Sequence, residues 1–140
     1  MPLSDDQLTL IRQSFNVLRH EMKPSSTFFY DDLFRRAPEL RSLFRDDLAG
    51  QGMKFLSTLA VIVDNLHQPD TLADRYSDLG RLHRTLGITG PMFEPMGEAL
   101  LATIRNALGE TWTIEIEAAW RQAFGEMADE LIARGGIPEG

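Results

Sequence analysis

"TLADRYSDLGRLHRTLGITG", residues 71–90, decides the fold. Leu72, Tyr76, Leu79, His83 and Leu86 recur in steps of four, three, four and three, the interval that stacks side chains on one face of an α-helix. "GITGP" ends the pattern with two glycines and a proline. The strict alternation of a half-buried strand is absent here and from every other segment. One helix of this kind cannot bury its stripe alone, so the rest of the chain must supply further helices to cover it.

It does so on both sides. Ser4 and Gln7 form a capping box ahead of Leu8, Ile11, Phe15 and Leu18, which predicts a helix from about Ser4 to His20. After "KPSS", read as a break, "TFFYDDLFRRA" carries Phe29, Tyr30, Leu33, Phe34 and Ala37 at helical spacing. Pro38 disfavours helical geometry at Ala37 and suits the first turn of a new short helix, "PELRSLF". "RDDLAG" reads as a polar break before a long helix through Phe55, Leu59, Ile62, Val63 and Leu66 that ends near "HQPD". Met92, Met96, Leu100, Ile104 and Ala107 mark another, stopped by Gly109. Thr113 caps a last helix with Ile116, Trp120, Phe124, Met127 and Leu131 inward, ended by "RGG". The prediction is an all-α fold of six to eight helices in a single domain over residues 1–140.

Composition narrows the chemistry. Hydrophobic residues at 43% and charged residues at 25% are ordinary for a globular chain. With no cysteine, disulfides, thiolate catalysis and cysteine-held zinc or iron–sulfur clusters are excluded. The net charge of −7 and the scattered basic residues argue against nucleic acid as a partner. No stretch approaches the ~18 apolar residues of a membrane span, and the first twenty residues lack a signal-peptide pattern, so the expected location is cytoplasmic with no membrane partner.

The residue that stands out is His83, a titratable ring in the centre of an apolar stripe. A histidine so placed is more often a core residue whose ring nitrogens bond to the backbone than a ligand, and Tyr30 on its own is an ordinary core aromatic. Gln51 on its own is a solvated helix residue. The alternative is that neutral imidazole ligates a metal, haem iron among them, and with no cysteine present His83 is the best axial candidate. His20, at a helix end beside Glu21, and His67, in a proline-containing turn, read as surface residues.

Taken together, Tyr30, Pro38 and Phe44 in "FYDDLFRRAPELRSLF", Gln51 in "LAGQGMKFL" and His83 in "LGRLHRTLGI" resemble the globin family, and specifically the single-domain bacterial globins related to flavohaemoglobins. The likeness extends through "MGEALLATIRNALGETWT" and "AAWRQAFGEMA" and covers nearly the whole chain. It implies a globin fold enclosing haem b, with His83 as the proximal iron ligand, Tyr30 and Gln51 over the distal face, and Phe44 wedged against the porphyrin. Lys54 and Arg84 are placed to reach haem propionates, with Arg81 beside them; a solvated role suits each arginine equally. Phe55, one turn past Gln51, is expected to face the ligand and to shrink the distal pocket. Phe29, Leu79, Leu82, Ile88, Phe93, Met96, Phe124 and Met127 complete the apolar wall, although a plain helical core would show the same stripe.

Two departures from flavohaemoglobins bear on activity. Phe93 and Phe124 stand at two positions where those proteins have tyrosine, and "ARGG" falls where a glutamate partner of the proximal histidine is expected. Without that carboxylate the ring's other N–H is expected to bond a backbone carbonyl of its own helix, leaving a more neutral ligand that is less suited to peroxidase-like chemistry. The resemblance implies reversible binding of oxygen, nitric oxide or carbon monoxide, for oxygen binding, storage or transport. The alternatives are nitric oxide dioxygenation, which needs electrons from an external reductase because no G-x-G-x-x-G signal is present, and gas sensing through a partner protein.

Overall fold

A computed structural model describes residues 3–44 and 48–139. Six α-helices are found among them: α1 (Asp5–Arg19), α2 (Met22–Arg36), α3 (Leu48–Asp64), α4 (Ala73–Thr85), α5 (Phe93–Leu108) and α6 (Ile114–Gly135). Short 3-10 segments join them at Pro38–Leu43, Pro69–Leu72, Gly90–Met92 and Gly109–Thr111. No strand occurs among the described residues, so the predicted all-α class holds. The polar break predicted at "RDDLAG" is described only from Leu48 onward, where the chain is already helical; residues 45–47 lie outside the described residues.

Local chemistry sets the helix ends. The capping box at Ser4 and Gln7 forms in full, and the Thr113 hydroxyl accepts the N–H of Ile116. Gly136 ends α6 at φ 65°, a left-handed geometry that only a residue without Cβ adopts freely. One boundary departs from expectation: "KPSS" is helical, because α2 begins at Met22. Pro24 is tolerated there since a first-turn N–H has no intrahelical partner to lose.

The helices pack as layers. α1 lies against α3, α5 and α6, while α2 lies against α3 and α5; the most extensive pairing is α4 with α6. Trp120 of α6 is fully buried against Phe15 of α1, ring centroids 6.1 Å apart, and its indole N–H donates to Ser14 Oγ at 2.7 Å. A main apolar cluster runs from Ile11 to Met127, and a smaller one gathers Ile88, Phe93, Ala128, Leu131 and Ile137. Leu43, Leu79, Met92, Met96 and Phe124 touch both clusters and stay half-exposed. This seam of half-covered apolar side chains is the candidate site.

Candidate functional site

Tyr30 belongs to the main apolar cluster. It sits midway along α2, and burial pushes its phenol up to about 12. Its hydroxyl forms no hydrogen bond with the described residues, so among them a protonated O–H donor stands beside aromatic rings without an acceptor. Rings enclose it: Phe34 stacks on it at 5.6 Å, Phe44 meets it edge-on at 5.2 Å, and Phe29 lies at 5.3 Å. Phe55 of α3 stacks on Phe29 at 4.7 Å. Sequence reasoning placed Phe34 on the helix stripe but left it out of the site; its ring fills the space between Tyr30 and Phe44.

A glycine brings α3 this close. A Cβ on Gly52 would come within 2.6 Å of Ser26 Cβ and 3.1 Å of Tyr30 Cε2, so no other residue fits without parting the helices. The buried Ser25 and Ser26 keep the facing surface of α2 low. Half-buried Gln51, the residue before Gly52, is carried with α3 against this wall, and Lys54 is exposed one turn further on.

Below Tyr30 on the same helix, Asp32 is buried and bound by Arg35 at 2.6 Å and Arg36 at 2.5 Å. Burial alone would raise its pKa, but the two guanidinium groups together hold it below the usual carboxylate range. The ion pairs keep this end of α2 charged and fixed beside the aromatic wall.

His83 lies half-buried on α4. Its Nδ1 lies 2.7 Å from the carbonyl oxygen of Leu79. A carbonyl can only accept, so Nδ1 is the donor and Nε2 is the nitrogen left for a ligand bond. This is the own-helix carbonyl bond expected from the missing glutamate. Phe93 stacks on the ring at 5.8 Å. A Cβ on Gly97 would lie 2.7 Å from the Phe124 ring, so this glycine gives Phe124 room beside α5.

Along α4 the stripe grows more open: Leu72 and Tyr76 are buried, Leu79 and His83 are half-buried, and Leu82 and Leu86 are 49% and 46% exposed. Ile88, Phe93 and Met127 are buried, Met96 is half-buried, and Arg84 is exposed; Arg81 pairs with Asp78 at 2.5 Å. His20 and His67 are exposed, as expected.

These features fit a flat, mostly apolar group with a metal at its centre. An imidazole offers Nε2, half-covered apolar side chains line the seam, and a phenol O–H without a partner among the described residues supplies a donor. Among the described residues no group of three or more His, Asp or Glu could hold a metal ion.

Comparison with known proteins agrees with this geometry. The globin family model matches residues 27–131. The flavohemoprotein of Bordetella pertussis is 31% identical over 135 residues, 94% of this chain but 34% of that protein, so the chain spans about a third of the length of such relatives. Leghemoglobin of Psophocarpus tetragonolobus is 28% identical over 91% of this chain and 94% of its own. Among solved structures, a hexacoordinated heme protein from a tardigrade superposes with TM-score 0.87 at 15% identity, covering 96% of each chain; this likeness concerns fold alone. An engineered carbene transferase derived from a candidate nitric oxide dioxygenase of Rhodothermus marinus gives 0.85 at 26% identity, over 96% of this chain and 94% of that one. With the globin family model matched across residues 27–131, the chain belongs to the globin family and, with it, to the haem-binding proteins.

Proposed function

We propose that this globin binds molecular oxygen reversibly at haem b, with His83 as proximal ligand and Tyr30 and Gln51 as donors to the gas. The observation that carries the reading is the Tyr30 hydroxyl, set within an aromatic wall and without a partner among the described residues. When bound, haem supplies a ferrous iron that takes up a diatomic gas and shifts negative charge onto the gas's outer atom. Tyr30 donates its O–H to that atom, and because burial keeps the phenol protonated to about 12, the donor persists across the whole physiological range. A bond to a partly charged acceptor screened from water contributes about 1–3 kcal/mol. Oxygen benefits more than carbon monoxide, which carries less charge.

On the proximal side His83 presents Nε2, and the Leu79 carbonyl fixes the ring's tautomer and orientation. A carbonyl withdraws less of the N–H proton than a carboxylate would, so the imidazole donates less strongly to iron. That favours reversible uptake over cleavage of the O–O bond. Phe44 and Phe55 bound the distal space; Leu79, Leu82, Ile88, Phe93 and Met96 cover the ring's other face, and Lys54 and Arg84 reach its propionates.

Stopped-flow measurement of oxygen release tests the proposal. Tyr30→Phe should release oxygen about tenfold faster or more, with little change for carbon monoxide; equal oxygen off-rates would remove Tyr30 from the site. The flavohemoprotein relatives and the Rhodothermus structure favour a second reading, nitric oxide dioxygenation, in which oxygen and nitric oxide combine to nitrate and the iron is left ferric for an external reductase to restore. Sustained nitric oxide consumption with added reductase and nicotinamide would favour that reading, whereas a single stoichiometric burst favours the carrier.

A further inference from the structure

α4 is held against α6 by an unusually close contact. A Cβ on Gly80 would lie 2.4 Å from the Leu131 carbonyl oxygen and 2.8 Å from Gly135 Cα. A Cβ on Gly135 would lie 2.3 Å from the Gly80 carbonyl carbon. Both obstacles are backbone, so no rotamer change relieves them and only separation of α4 from α6 could. The segment after α6 adds to the grip: the Gly90 N–H donates to the Pro138 carbonyl at 2.8 Å, and Ile137 is buried with Ile88 and Phe93.

His83 rides on this helix. Its Nδ1–H is bonded to Leu79 of α4 itself, so the ring's orientation is fixed to the α4 backbone and moves with it. Gly80 and His83 are three residues apart and point about 60° from one another around the helix axis. If α4 is pushed straight back from α6, His83 withdraws along its own direction by about half the displacement.

We infer that the Gly80–Gly135 backbone contact is a positioning device that sets how far the His83 imidazole reaches into the site. The inference rests on the reading of His83 as the iron's ligand. The glycines touch neither haem nor gas; they act through the helix that carries the ligand.

The test is the iron–histidine stretching band of the ferrous, haem-loaded protein by resonance Raman. Gly80→Ala should lower its frequency and speed haem loss several-fold, although alanine is the better helix former. Gly125→Ala, whose Cβ would meet nothing within 4 Å, should leave both unchanged. If Gly80→Ala loses its helical circular dichroism, Gly135→Ala carries the same test at the last turn of α6, where the helix can yield.

A His83→Gly background with added free imidazole separates the possible causes. There the proximal ligand is no longer tied to α4, so Gly80→Ala should no longer shift the iron–imidazole band. A shift that persists in that background overturns the inference, as does an unshifted band in both single glycine variants. An unaltered band in His83→Gly without imidazole would instead defeat the reading of His83, a distinct failure.

Discussion

Around Tyr30, rings from α2, α3 and the Pro38–Leu43 corner close on one another, and Tyr30 is 6% exposed. Around His83 the helix becomes more open with each turn, until Leu86 is 46% exposed. The Tyr30 wall, distal in the proposed reading, is completed by the polypeptide, since its aromatic faces find one another. α4, proximal in that reading, packs against α6 and presents half-covered apolar side chains beyond that contact. One side is a closed aromatic wall, and the other is a helix supported by its neighbour.

Removing haem should break this symmetry most strongly. Ligand held at a thousandfold excess over its dissociation constant stabilises by about 4 kcal/mol, and that stabilisation concentrates on the segments it touches. Hydrogen exchange in the haem-free protein should therefore accelerate by orders of magnitude over residues 79–88 while α2 and the middle of α3 keep most of their protection. Equal loss across all of these helices would deny the distal wall its independence.

Gly52→Ala tests the wall itself. The new methyl must displace Ser26 or the Tyr30 ring, and overpacking of this kind costs about 1–3 kcal/mol. Urea unfolding of the haem-free protein should show the loss, and the haem-loaded protein should also release oxygen at a changed rate because Tyr30 moves. A stability change with no change in oxygen release would mean that Tyr30 yields without affecting the gas.

How much of this could be read from the chain depends on the range of the signal. Helix positions followed from stripes and caps, which are local: Ser4 with Gln7 and Thr113 formed the caps they predict. His83 was visible because an imidazole interrupts an otherwise apolar stripe. The start of α2 was misread because Pro24, Ser25 and Ser26 are loop formers by propensity, and only the crossing with Gly52 gives short side chains a reason to be helical there. The contacts of Gly52, Gly80, Gly97 and Gly135 were missed for the same reason: a close approach between distant segments leaves no periodic trace. The signal available was a glycine kept inside a helix, where it is costly unless packing requires it.

The two tyrosines give a smaller test, one on each side of the comparison. Burial raises Tyr30 of α2 to about 12, and burial together with Glu130 and Glu126 raises Tyr76 of α4 to about 12. These groups keep their protons more tightly in the folded chain, whereas the unfolded chain ionises near pH 10. The stability they contribute is complete below pH 10 and declines as pH rises toward 12. Ultraviolet titration should show no phenolate below about pH 11 in the folded protein and a normal transition near 10 in urea. With no other tyrosine in the chain, Tyr30→Phe and Tyr76→Phe assign the two transitions.

The smallest expected effect belongs to the exposed cations. Lys54 and Arg84 stand in water at the edges of the two sides, and an exposed ion pair contributes ~0–1 kcal/mol, less as salt rises. Lys54→Ala and Arg84→Ala should each speed haem loss less than about fivefold, and the difference from wild type should shrink in high salt. Arg81, already paired with Asp78, serves as the control and should change nothing. If Arg84→Ala instead has a large, salt-insensitive effect, charge is not its role. Its guanidinium lies 3.5 Å from the place of a Cβ on Gly136, so the loss would trace to the grip of α6 on the proximal helix, the same support that Gly80 and Gly135 provide.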